Sequence, residues 1–158
     1  LAPRRAELIC GVIVEKISKS PAHTGLTDQN REILDEWSLK RFWVRQEAPL
    51  TPGDSEPEPD VSVVTGQRSD YSTAHPGTAL LAVEVAVTTE SADRELLPSY
   101  AAAGVAEVWL VLASKKQVER FTNPVRDRYA ESRLFSAGET LTSTSLAGFS
   151  LPLASLFV

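Results

Sequence analysis

Cysteine is nearly absent from this chain. Cys10 is the single one, so no internal disulfide can form, and the usage fits a reducing, cytoplasmic setting. Flanked by Leu8, Ile9 and Val12, it reads as a small hydrophobe in a strand core rather than as a nucleophile. Histidine is almost as scarce: His23 and His75 lie too far apart for a helical metal pair, and no Cys/His spacing suggests zinc. A Gly-rich phosphate loop and a nucleophile elbow are both missing, which leaves nucleotide hydrolysis and acyl transfer without a motif. No apolar run approaches a membrane span and no basic-then-apolar leader is seen, so neither membrane anchoring nor secretion is expected. Methionine is absent and the first residue is Leu1, from which we expect the natural N-terminus to lie upstream.

Positive charge is also short. Sixteen basic against twenty-one acidic residues give a net charge of −5, which counts against strong nonspecific affinity for DNA. Two circumstances would soften that conclusion. Several carboxylates could belong to a metal cluster, and Arg41, Arg45, Arg94, Arg126, Arg128 and Arg133 could gather on one face.

At 158 residues the chain is expected to form one domain, 1–158, large enough to bury its own core. Residues 7–18 read as a strand pair or bent strand around Gly11. Residues 22–40, with Leu26, Ile33, Leu34 and Trp37 at helical spacing, read as an amphipathic helix. Further strands are predicted over 42–50, 61–65, 80–87 and 107–112, with a proline-rich turn at 51–59 and a polar loop at 67–78. Residues 90–103 read as one helix closed by Gly104. Segments 116–121 and 128–135 look like a terminal hairpin, and 140–145 like a short loop. Trp37, Trp43 and Trp109 sit in apolar patterns and read as core.

Two acidic residues stand out. Asp60 opens a β-branched run after the proline-spaced segment Glu56-Pro57-Glu58-Pro59, and Glu84 interrupts the otherwise apolar run Leu80 to Val85. A buried carboxylate needs compensation: a salt bridge, a raised pKa, or a hard cation such as Mg²⁺. Glu84 could equally pair with an arginine, and Glu56 and Glu58 could be ordinary solvated turn residues.

Six phrases occur in order: Ala6 to Val14, Ser20-Pro21-Ala22-His23, Glu56 to Asp60, Ala82-Val83-Glu84-Val85, Pro98 to Trp109, and Gly148-Phe149-Ser150-Leu151. In this the chain resembles the Uma family of "putative restriction endonucleases", a branch of the PD-(D/E)XK nuclease superfamily, from Glu7 to Phe157. The resemblance implies an α/β fold with a restriction-endonuclease-like core, a mixed central sheet flanked by helices, and a C-terminal β-hairpin. It also implies a metal-dependent DNA endonuclease that hydrolyses phosphodiester bonds. Asp60 and Glu84, with Glu7, would be the catalytic and metal-holding residues for Mg²⁺ or Mn²⁺, and His23 would touch that set. DNA is the implied partner, and a homodimer the implied assembly. Relatives usually carry a further helical segment before this point.

One position departs from the pattern. Relatives have a lysine four residues before the tyrosine of the Pro-x-Tyr-Ala phrase, here Tyr100, and that position is Leu96. Neighbouring Leu97 is uncharged too, Arg94 has a rigid fork unlike lysine's compact charge, and Lys115 and Lys116 follow the next strand. Cleavage is therefore expected to be impaired. The alternatives are a noncatalytic nuclease-fold protein that binds nucleic acid or protein, and a purely structural salt-bridge network.

Overall fold

The computed structural model describes residues 6–15 and 19–158. The strands Ala6–Ile9 (β1) and Val12–Glu15 (β2) pair as a small antiparallel hairpin. Residues 16–18, the end of the predicted 7–18 segment, lie outside the described residues. The hairpin corrects the reading of Cys10, which is exposed in the turn. The two-residue connection places Cys10 at φ 48° and Gly11 at φ 77°, the left-handed pair that matches the twist of a tight hairpin.

Helix α1, Pro21–Ser38, begins where Ser20 accepts from the His23 N–H at 3.2 Å, with Pro21 in the first turn where its missing N–H costs nothing. Then come Trp43–Gln46 (β3), Val61–Val64 (β4) and Leu81–Ala86 (β5). The expected strand 42–50 is shorter than predicted because Glu47 turns to φ 50° just after Gln46.

The single helix predicted over 90–103 is two: α2, Glu90–Arg94, and α3, Leu97–Ala102. Pro98 is the reason. It has no N–H for the Arg94 carbonyl, and its ring would collide with that carbonyl in a continuous helix. The predicted close holds: Gly104 at φ 72° lets the Val105 N–H reach the Tyr100 carbonyl at 3.0 Å.

The chain continues through Glu107–Leu112 (β6), Gln117–Val125 (β7) and Arg128–Phe135 (β8). The β7–β8 hairpin was expected to end the fold. Instead Thr140–Thr142 (β9), where a loop was expected, pairs with Ser150–Pro152 (β10), and a short helix α4, Leu153–Leu156, follows.

Six strands form one sheet in the order β3-β4-β5-β6-β7-β8, antiparallel except for the central β5–β6 pair. That parallel pair needs a crossover, which α2 and α3 provide. All six residues of β5 and all six of β6 are buried, so their near-continuous apolar runs follow from cover on both faces. On one face Val61, Val83, Trp109 and Val111 pack with Leu34 of α1 and with Leu141, Leu151 and Leu153 of the C-terminal segment. On the other, Val64, Ala82, Ala86, Val108 and Leu110 meet Leu96 and Tyr100.

Tyr129 ties β8 to the turn after α3 through its hydroxyl, which donates to the Val105 carbonyl at 2.7 Å. Burial pushes this phenol above its ordinary value of 10.0. Above pH 10 the unfolded chain therefore loses a proton that the folded chain keeps. The contribution is complete below pH 10 and is lost as pH rises through the folded value. Urea unfolding at pH 9 to 11 is expected to show stability falling faster in the wild type than in Tyr129→Phe, by up to about 1.4 kcal/mol per pH unit. Parallel slopes would show that this phenol is not linked to folding.

Candidate functional site

The prolines of the Glu56 to Asp60 segment shape the site. Pro57 and Pro59 have no N–H, and the remaining donor between them, the Glu58 N–H, reaches Glu7 Oε1 of β1 at 2.7 Å. The Glu56 N–H also donates to the Leu8 carbonyl. The small hairpin is thereby fastened beside the start of β4, and Glu7 is only 6% exposed.

Asp60 precedes β4 and Glu84 lies in β5, on adjacent strands. Both are buried, at 2% and 3% exposure. Asp60 Oδ2 accepts the Val85 N–H at 2.8 Å and lies 3.1 Å from His23 Nε2; His23 Nδ1 faces the Thr27 hydroxyl at 3.4 Å. Asp60 Oδ1 lies 3.3 Å from Lys19 Nζ, which also donates to Glu47. Glu84 Oε1 accepts from the Tyr100 hydroxyl. Burial first, and then the charges of Glu84, Glu7 and Asp60, push the Tyr100 phenol well above its usual range, so Tyr100 stays a donor to Glu84. That one phenol feels all three carboxylates places it within their common field.

Glu7, Asp60 and Glu84 line one cavity of about 240 Å³, together with Lys19, His23 and Leu96. The sequence-predicted residues are thus brought together. Among the described residues, however, no group of three His, Cys, Asp or Glu is arranged to hold a metal ion. The carboxylates are instead turned toward the protein donors named above. Carboxylate oxygens are the hard ligands a divalent cation takes, and all three residues line the same cavity.

Leu96 lines the cavity and is 8% exposed, packed in the cluster that contains Tyr100. Arg94 is not among the residues that line the cavity. It pairs with Glu90 at 3.0 Å and Glu119 at 2.7 Å, and these hydrogen bonds, Glu119 first, raise its pKa. Lys115 pairs with Glu90 on an exposed flank. Arg45 is 5% exposed and lies over Trp43, Arg41 lies over Trp37, and Arg133 pairs with Glu139, so these three arginines are held by separate partners.

Sequence reasoning missed two participants. In the sequence Tyr100 marks the Pro-x-Tyr-Ala phrase, and its spacing from Glu84 carries no sign of their bond. Lys19 was not singled out, since only the helix start at Ser20 and Pro21 marks its neighbourhood. No helix among the described residues is long and apolar enough to cross a membrane.

The comparison with curated proteins found no match. Among solved structures, one described as a "putative nuclease belonging to DUF820" from Anabaena variabilis superposes with a TM-score of 0.83 at 16% identity, covering 96% of this chain and 89% of that one. At that identity the likeness establishes a shared nuclease-type fold. The family model Uma2, described as "Putative restriction endonuclease", matches residues 2–154. With nearly the whole chain matched, and with Glu7, Asp60 and Glu84 in one cleft of a nuclease-type fold, this protein belongs to the Uma2 family.

Proposed function

We propose that this chain is a metal-dependent endonuclease that hydrolyses phosphodiester bonds of DNA. The observation that carries the reading is the shared cavity of Asp60, Glu84 and Glu7, three buried oxygen-bearing residues delivered by three different strands or their flanks. Asp60, Glu84 and Glu7 are the residues that would hold Mg²⁺ or Mn²⁺. Such a cation, when bound, lowers the pKa of water and polarises a phosphoryl oxygen. The protein's own part is orientation. The Val85 N–H and His23 fix Asp60, the Glu58 N–H fixes Glu7, and Tyr100 fixes Glu84. DNA is the proposed partner. A homodimer belongs to the same proposal, because two copies would bring two such clefts to the two strands of a duplex.

A second reading is favoured by one observation: Leu96 gives the cavity an apolar wall, at the position where the family resemblance implies a lysine. It makes the protein a noncatalytic binder of nucleic acid or protein on a nuclease fold. Titration calorimetry and plasmid nicking, each with Mg²⁺ and with Mn²⁺, separate the two. On the endonuclease reading the wild type binds metal and nicks slowly, while Asp60→Ala and Glu84→Ala lose both properties. Metal affinity unchanged in both variants would remove the metal site and the endonuclease with it.

A further inference from the structure

Six carboxylate residues line the cavity: Glu7, Glu15, Asp60, Glu84, Asp93 and Glu95. A phosphodiester entering it carries another negative charge and meets repulsion from each ionised one. Among the described lining residues, one lysine or arginine opposes them, Lys19. Its side chain is 15% exposed, it projects from the segment just before α1, and its ammonium bridges Glu47 and Asp60 Oδ1. Oδ1 is the oxygen of Asp60 opposite the one that accepts the Val85 N–H. Lys19 can therefore leave Asp60 while that backbone bond stays in place. The flexible four-carbon stem and three rotatable donors of lysine suit such an exchange of partners.

We propose that Lys19 is the protein cation that meets the scissile phosphate in this cleft, an inference that rests on the phosphodiester-hydrolysing reading above. In the ground state it pairs with Asp60 and Glu47. With a phosphodiester bound it donates a hydrogen bond to a nonbridging phosphate oxygen. The oxygen of a water forms a bond to phosphorus while one P–O ester bond breaks. The water gives up a proton to solvent, and the leaving oxygen takes one from solvent. Lys19 keeps its own proton throughout and stabilises the charge that builds on the phosphoryl oxygens, a kind of contact whose loss costs on the order of 100-fold in rate.

The test compares wild type, Lys19→Met, Lys19→Arg and the double variant Lys19→Met/Leu96→Lys by four readouts. These are plasmid nicking with Mg²⁺, Mg²⁺ titration calorimetry, fluorescence anisotropy of a short DNA duplex in Ca²⁺, and thermal melting. We expect Lys19→Met to nick about 100-fold more slowly, to bind the duplex at least fivefold more weakly, and to bind Mg²⁺ as well as or better than the wild type, because a competitor for Asp60 has gone. Lys19→Arg should retain part of the duplex affinity, and Leu96→Lys should restore nicking in the Lys19→Met background. Unchanged duplex affinity in Lys19→Met overturns the assignment whether or not any variant nicks. Loss of Mg²⁺ affinity together with a lower melting temperature overturns it in favour of a structural ion pair. If the wild type binds duplex through Lys19 yet takes up no Mg²⁺ and never nicks, the endonuclease reading fails while the phosphate contact stands.

Discussion

Replacing Leu96 by lysine is expected to raise metal-dependent plasmid nicking by about 100-fold to 1,000-fold, the scale of one transition-state contact made or lost at a phosphoryl centre. Leu96 is the residue before α3, and its side chain both packs with the Tyr100 cluster and borders the cavity. A lysine there can keep its aliphatic stem in the packed layer and send its ammonium toward the acidic cavity, so the stem replaces much of the lost packing. The wild type is expected to be slow, since leucine has no cation to offer water or phosphate, Arg94 is engaged by Glu90 and Glu119, and Lys19 acts alone and must first leave Glu47 and Asp60. Glu84→Ala is the control against a contaminating nuclease. Robust wild-type nicking that vanishes in Glu84→Ala and gains nothing from Leu96→Lys would show that position 96 does not limit the reaction.

Glu107 should govern stability rather than chemistry. It opens β6, its exposure is 0%, it does not line the cavity, and it bonds to Trp109. Its carboxylate accepts from five donors: the Trp109 indole N–H, the Ser143 hydroxyl, the Thr144 N–H and hydroxyl, and the Ser145 N–H. This single side chain therefore pins the segment between β9 and β10 onto the central sheet. Glu107→Ala would leave the buried Trp109 N–H and the partly exposed donors of residues 143 to 145 without this acceptor, and urea unfolding is expected to show a loss of about 1–3 kcal/mol. Glu107→Gln keeps an oxygen acceptor and should recover part of that loss. A Glu107→Ala variant within about 0.5 kcal/mol of the wild type, the range of an ordinary surface substitution, would mean that the segment satisfies its donors another way.

Much of the fold was legible along the chain because local chemistry and tertiary outcome agree. Ser20-Pro21 starts α1, Gly104 ends α3, and the continuous apolar runs of β5 and β6 became central strands. Where they diverged, a specific physical term intervened. Pro98 broke a helix that apolar spacing had joined, and the hairpin turn carried Cys10 into solvent although its neighbours are apolar. β9 and β10 escaped notice because three-residue strands have too short a period to read, and their stability comes from packing on α1 and the sheet.

By itself the sequence determined which carboxylates needed an explanation. Asp60 after the prolines and Glu84 inside an apolar strand are positions where water cannot compensate a charge. It also determined that position 96 carries no charge. Tertiary structure alone decided what surrounds them, because Lys19, Glu47, Asp60, Glu84 and Tyr100 lie far apart in the chain and meet only when β4 and β5 pair and α3 closes over the sheet. Periodicity reports which face a residue takes within its own element. Which donor or cation faces it from another element depends on how the elements pack, and here that packing set Lys19 against Asp60 and Tyr100 against Glu84.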